Sequence, residues 1–439
     1  MHVLFLTQII PYPPDAGPKV KTWQVLRYLA SRGHRVTLAS FVRPEEEPYV
    51  NDLREVCQDV YTVPIQRSRI RDAGYWIRSN FTGRPFLIER DDLVGMRRLI
   101  ERILAEERID LIHADQLTMT QFALPRHQEK RTPTKQAQDG NNKSNNLQPE
   151  LLFDAHNAVW TIVERMRENA PWYLRPIGYL EEQRIKRYEG MVVSLYDHTL
   201  AVTEPDHLAL KEAVEFFAGD HEKNKDSITV IPIAVDTEKL QPVSRKSDSK
   251  NIVTLGTLHY PPNADGIRWF AEEVFPLVHE RDPDTTLTII GKNPPPDFYQ
   301  LQEKHPDSIE VTGYVQDLVP YLERAALMVI AVRAGGGMRV RILEAFARGM
   351  PVVTTTVGLE GIEAQPGKEI LVEDSPREFA QAVLNLMNDL ELGLLLAKNG
   401  RQLAVEQYDW QVVLQKMDTI YQRDSIQEYL GESVHAQSA

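Results

Sequence analysis

AGGGMRVRILEAFARGMPVV, Ala334 to Val353, is the stretch whose reading decides the fold. Leu327 to Ala331 reads as a buried strand running into it, and Gly335 to Gly337 follow as three consecutive glycines. These permit unusual dihedrals and close backbone approach. A helix comes next, its first amides lacking partners within the helix. Gly349 and Pro351 end that helix, and Val352 to Thr355 starts a further strand. A strand, glycine loop and helix in this order form an anion site in waiting. Arg339 and Arg341 fall in the first helical turn, where the helix dipole penalises cations by about 0.3–1 kcal/mol each. A bound diphosphate would reverse that penalty. Gly337, Arg341 and Glu344 share one helical face by their spacing, so Glu344 can accept hydrogen bonds from a ribose while the arginines hold phosphates. The alternative is a surface i,i+3 pair of Arg341 with Glu344 beside an ordinary turn.

The same alternation extends in both directions. Towards the C-terminus lies Ile370 to Val372. Towards the N-terminus lie Glu310 to Thr312, Thr286 to Ile290 and Ile252 to Leu255. The polar stretch 241–251 (QPVSRKSDSKN) reads as a linker. An earlier series precedes it, with strands at His2 to Thr7, His34 to Phe41, Val60 to Val63, Leu111 to His113, Leu151 to Ala155, Leu200 to Val202 and Ile228 to Ile231. Val20, Trp23, Leu26 and Leu29 recur at helical spacing after the first strand. Helices are expected near 93–107 and over 178–189. The domains expected are therefore 1–240, with a polar surface loop at 131–150, and 252–409. A periodic helix over 410–425 and a polar tail over 426–439 complete the chain.

The chain has 439 residues, which suits two domains. A hydrophobic fraction of 42% supports packed cores. A net charge of -13 argues against a nucleic-acid binder. Cys57 is the single cysteine, so neither an intrachain disulfide nor a thiolate metal site can form. The N-terminus lacks the marks of a signal peptide, and no run approaches the ~20 apolar residues of a spanning helix. The expectation is a cytoplasmic protein, with peripheral membrane contact left open.

The Ala334–Val353 segment resembles the donor-binding helix of family 4 glycosyltransferases, which have the GT-B fold. The similarity extends along nearly the whole chain, from PYPPDAGPKVKTWQVLRYLASRGHRVTL through TVIPIAVDTEKLQP and VTGYVQDLVPYLERAALMV to TTTVGLEGI. GGGMRVRILEA and PYPPDAG are similar to bacterial sugar transferases of exopolysaccharide clusters. The resemblance implies an α/β fold of two facing Rossmann-like domains with a cleft between them, the C-terminal helix returning towards the first. It implies retaining transfer from a nucleotide-diphosphate sugar to a glycan or lipid-linked acceptor, without a metal or further cofactor. Two departures stand out. The family's Glu-x7-Glu pattern places Glu344 at its second position and Gly336 at its first. The Gly-Arg and Lys common after the first strand of the second domain are replaced by Gly256–Thr257 and the loop HYPPNADG, which has neither cation. Arg339 and Arg341 are the candidates to supply the missing charge.

On the first domain the resemblance points to Gly17 for backbone approach to the donor, with Lys19 and Lys21 adding charge. It places His113 and Asp115 near the cleft after one strand and His156 after another, as catalytic candidates. Glu182, Arg184 and Glu189 lie on an expected cleft helix, or form a salt-bridged exposed face. Thr203 and Asp206 read as helix caps. Arg67, Arg69, Arg71, Trp76, Arg78, Phe81, Arg84 and Phe86 mix basic and aromatic residues. They suit an anionic membrane or lipid-linked acceptor, or else a solvated helix with core aromatics. An epimerase of the same fold and a non-catalytic sugar-nucleotide binder are the competing readings. No G-x-G-x-x-G follows a strand, which disfavours a dinucleotide dehydrogenase.

Overall fold

The computed structural model describes residues 1–14, 17–124, 148–218 and 228–421. The expected loop 131–150 falls almost wholly outside these residues, as does the tail 426–439. Thirteen strands among the described residues form two all-parallel sheets. The first contains β1 (His2–Thr7), β2 (Arg35–Val42), β3 (Asp59–Pro64), β4 (Leu111–Asp115), β5 (Glu150–Asp154), β6 (His198–Ala201) and β7 (Ile228–Val230). Their order is β3-β2-β1-β4-β5-β6-β7. The second contains β8 (Asn251–Leu255), β9 (Thr286–Ile290), β10 (Ile309–Gly313), β11 (Ala325–Ile330), β12 (Val352–Thr354) and β13 (Leu371–Val372), in the order β10-β9-β8-β11-β12-β13. Near-continuous apolar runs such as VLFL in β1 and LMVI in β11 suit strands covered on both faces. Strand order reverses between β1 and β4, and again between β8 and β11. At such switch points the strand ends open a crevice that can hold a ligand.

Register divides the first sheet into two chemically different faces. Leu4, Leu6, Ile112, Ala114 and Phe153 join the main hydrophobic core of that unit. Phe5 pairs with His113, and Asp115 with Asp154, so the opposite face carries Phe5, Thr7, His113, Asp115 and Asp154. Helix Gly17–Ser31 and Tyr421 supply its partners on that face.

Contacts divide the chain into one unit of Met1–Ile231 with Leu414–Ala439 and another of Pro232–Val413. The stretch read as a linker is bonded into the second unit: Val243 N donates to Arg348 O at 3.0 Å, Lys246 N to Glu323 O at 3.1 Å, and Asn251 already belongs to β8. In place of one helix over 410–425, a helix at Trp410–Leu414, a 3-10 turn at Gln415–Met417 and a helix at Asp418–Tyr421 follow one another. The break lies where the chain passes from the second unit back to the first. Tyr28 Oη and Arg32 Nη2 each donate to the Asp418 carboxylate at 2.6 Å, fastening the returning segment to helix Gly17–Ser31. Burial and the Asp418 charge push the Tyr28 phenol up to about 12.

Candidate functional site

In the second unit, two strand ends at the switch point carry the glycines singled out above. Gly256 follows β8, and its N–H donates to Ile290 O at 3.0 Å. A Cβ on Gly291 would lie 2.1 Å from Gly256 O, and one on Gly266 1.6 Å from Ala331 O. Only glycine fits at either place, so the β8 turn and helix Pro261–Trp269 pack directly against the neighbouring strand ends. Gly335 and Gly337 take φ of 103° and 84°, in the left-handed region. A Cβ on Gly335 would sit 3.6 Å from the Pro262 ring, which brings this loop beside the one that follows Gly256. Thr355 Oγ1 donates to Val332 O and accepts from Gly358 N, tying the end of β12 to the start of the glycine loop.

Helix Val340–Ala347 begins without a side-chain cap, at the end where the helix dipole favours an anion. Arg339 turns back on the loop, donating from Nη1 to Gly336 O at 2.7 Å and from Nη2 to Gly335 O at 3.1 Å. Arg341 Nη1 donates to Glu344 Oε2 at 2.5 Å, so the i,i+3 pair of the alternative reading does form. Gly256, Gly335, Gly336, Gly337, Arg339, Arg341 and Glu344 thus gather at one corner of the second sheet.

The first-unit candidates are placed differently. His113 and Asp115 are wholly buried rather than exposed along a cleft, because both project from the interior strand β4 onto the covered polar face. Asp115 is a hub. It accepts from Thr7 Oγ1 at 2.8 Å and Thr22 Oγ1 at 3.0 Å, and hydrogen-bonds His156 Nε2 at 2.7 Å. His113 stacks on Phe5 with ring centroids 4.2 Å apart, and its Nδ1 lies 2.7 Å from Tyr421 Oη. Lys21 is buried as well, its ammonium paired with Asp154 rather than directed at a ligand. Burial opposes ionisation of Asp154, yet the Lys21 charge and the His113 hydrogen bond outweigh it and hold the carboxyl well below its usual range. Burial beside that carboxylate drives the Tyr421 phenol well up.

His113, Asp115 and Asp154 each offer a ligand atom within 4.8 Å of the others, a grouping that can hold a metal ion. The Lys21 ammonium already supplies a cation to Asp154 there. His156 keeps some exposure, 9% of its side chain, and is the member of the group that reaches the surface. Gly17 opens helix Gly17–Ser31, and Lys19 lies 3.4 Å from Glu46.

Glu182, Arg184 and Glu189 are internal ties. Arg167 Nε donates to Glu182 at 2.6 Å, and Arg184 donates to Ser79 Oγ at 3.3 Å and Asn80 Oδ1 at 3.1 Å. Both Glu189 oxygens accept backbone N–H groups, from Val159 at 2.7 Å and Trp160 at 3.0 Å, while Asp206 accepts from Ala158 N at 2.9 Å. The N-terminus of helix Val159–Glu168 is thereby filled by the unit's own carboxylates. Burial dominates at Glu189 and pushes its carboxyl up to about 8 against those hydrogen bonds. Thr203 caps helix Glu204–Ala218 as expected, accepting from Asp206 N at 3.2 Å. Thr7, Thr22 and Asp154 belong to the polar group and were not singled out. Their signal is a polar residue at the end of an otherwise apolar strand, or at the start of the helix beside it.

Two parallel α/β units of this kind define the GT-B architecture. Sucrose-phosphate synthase from Thermosynechococcus elongatus superposes with a TM-score of 0.66 at 16% identity, covering 96% of this chain and 99% of that one. HepE of Anabaena, solved in complex with UDP-glucose, gives 0.63 at 14% identity, covering 96% and 100%. Within this architecture, residues 249–389 match the family model described as Glycosyl transferases group 1, a match that falls within the second unit. Along the chain, an uncharacterized 44.6 kDa protein in the cps region of Klebsiella pneumoniae is 20% identical over 93% of this sequence and 96% of its own.

Proposed function

We propose that the protein transfers a sugar, with retention of anomeric configuration, from a nucleotide-diphosphate sugar to a glycan or lipid-linked acceptor in cell-surface or exopolysaccharide synthesis. The observation that carries this reading is helix Val340–Ala347, without a side-chain cap, behind a glycine loop at the switch point, inside the stretch that matches the Glycosyl transferases group 1 model. The UDP-glucose complex of HepE and the cps-region relative support it.

In this reading the donor diphosphate lies against the first amides of that helix, with Gly335 and Gly337 allowing close backbone approach. Arg339 braces the loop through its carbonyls and adds charge. Arg341, now paired with Glu344, holds Glu344 in place for the ribose and lends positive charge to the departing nucleoside diphosphate. No residue stands in for the family's first glutamate except Gly336, whose backbone N–H takes the sugar-facing place. On the first unit, Gly17 approaches the donor. His156, oriented by Asp115, is the group that can reach substrate, and His113 supports the strand beneath it. Metal ion and further cofactor play no part.

A thermal-shift screen across nucleotide sugars tests the donor, since selective binding raises the melting temperature. Release of nucleoside diphosphate is then followed with and without glycan acceptors and with a chelator, and the anomeric configuration of the product is read by NMR. A selective donor, acceptor-dependent release and a retained anomer are expected. Acceptor-independent turnover of the sugar nucleotide would replace transfer by epimerisation. Binding without any turnover would leave a sugar-nucleotide binder.

A further inference from the structure

Helix Arg69–Thr82 runs for 14 residues and buries a single side chain, Ser79. Ile70, Ile77 and Phe81 recur seven and four residues apart, hence on one side of the helix. They are 86%, 53% and 88% exposed. The expectation that the aromatics of this region belong to a core fails for Trp76 and Phe81, which both lie in solvent.

A second segment adjoins it. Residues 171–180, PWYLRPIGYL, carry Trp172 at 80% exposure, with Tyr173, Ile177 and Leu180 also exposed. Ile177, Leu180 and Arg184 lie along one face of helix Arg175–Leu195 by their spacing. Arg184 donates to Ser79 and Asn80, so that face leads onto the end of helix Arg69–Thr82. Scattered apolar side chains are normal on a protein surface, whereas a contiguous patch marks an interaction site.

Charge selects the occupant. The chain as a whole carries -13, yet between 67 and 84 Arg67, Arg69, Arg71, Arg78 and Arg84 face only Asp72. Arg67, Arg78 and Arg84 pair with the buried carboxylates Asp91, Glu89 and Asp92. Arg69 and Arg71 form no ion pair among the described residues, and only Arg175 is charged within 171–180. Two copies meeting through this face would set like charges against each other. An anionic lipid surface satisfies both parts: aromatic rings suit the headgroup level, and arginines suit its phosphates.

We infer that helix Arg69–Thr82 and the 171–180 segment dock the protein on an anionic membrane surface. Ile77, Phe81 and Trp172 enter the headgroup–acyl boundary, and Arg69 and Arg71 bind lipid phosphates. No described helix is long and apolar enough to cross a membrane, so the attachment is peripheral.

Co-sedimentation of the full chain with phosphatidylcholine vesicles, with and without phosphatidylglycerol, tests this. Binding is expected to the anionic vesicles and to weaken as salt rises. Phe81→Ser/Trp172→Ser and Arg69→Glu/Arg71→Glu should each weaken it by about tenfold or more. Leu394→Ser, at an exposed leucine of the second unit, should leave it unchanged. All variants should melt with the wild type, because the altered side chains are exposed. Failure to sediment with anionic vesicles at low salt would overturn the inference. So would equal weakening by Leu394→Ser, or a dimer in solution that Phe81→Ser/Trp172→Ser dissolves while no vesicle binding is seen.

Discussion

Lys21 and Asp154 form an ion pair inside the first unit with side chains only 3% and 0% exposed, joining the start of helix Gly17–Ser31 to the last residue of β5. Removing one partner of such a pair leaves a bare buried charge and costs about 3–5 kcal/mol, whereas replacing both with apolar groups is often nearly neutral. Lys21→Met is therefore expected to lose about that much stability in urea titration, and Lys21→Met/Asp154→Leu to recover most of it. Additive losses would show that the pair is not the unit that matters.

Glu189 couples stability to pH. Its folded-state pKa of about 8 lies above the ordinary glutamate value of 4.5. Between those values the folded chain binds the extra proton, so stability falls as pH rises. The contribution is fully present below the unfolded pKa and lost as pH rises through about 8. Glu189→Gln keeps the oxygen acceptor and removes the titration. Melting curves of the variant should be flatter than wild type across that window, and parallel curves would reject the assignment.

Gly266 and Gly291 are positions where a methyl group has no room. Their neighbours are backbone oxygens, which cannot rotate away. Either alanine substitution is expected to cost about 1–3 kcal/mol, lowering the melting temperature and loosening the corner that holds Gly256 and Gly335. Gly33→Ala meets no atom within 4 Å, although its φ of 78° adds backbone strain, and gives the milder comparison. Equal losses at all three would show that the close backbone oxygens at Gly266 and Gly291 do not set the cost.

Arg341→Ala separates donor binding from folding. The side chain is 35% exposed and paired within its own helix, and an exposed pair of this kind contributes about 0.3–0.5 kcal/mol to stability. Its loss should weaken the nucleotide sugar found in the donor screen by about tenfold, or about 1.4 kcal/mol, with the melting temperature almost unmoved. Unchanged affinity in both Arg341→Ala and Arg339→Ala would remove the proposed replacement of the family's missing loop cations.

The second unit was the more legible in sequence. Thr286 to Ile290 is the strand read from its apolar run, and the glycine loop is contiguous, so local spacing already contains its geometry. The polar face of the first unit was not readable in this way. Lys21 lies 133 residues from Asp154, and Tyr421 lies 308 residues from His113. No periodicity reports such pairings. His113 and Asp115, expected near the cleft, and Lys21, expected to add charge, are buried and bonded within this face. The 171–180 segment carries a signal of its own, a run of large apolar side chains interrupted by one charge, and the helix expected over 178–189 takes in only its last three residues.

The returning segment at Leu414–Tyr421 also sets an order of events during synthesis. β1 to β7 have all left the ribosome long before Tyr421 is made, and domains form as the chain emerges. Until then the nascent first unit lacks the Tyr421 hydroxyl that hydrogen-bonds His113 and the Asp418 anchor for Tyr28 and Arg32. A truncated or stalled translation product ending in the second unit would therefore expose a charged interior, giving chaperones and proteases a ready mark of an unfinished protein.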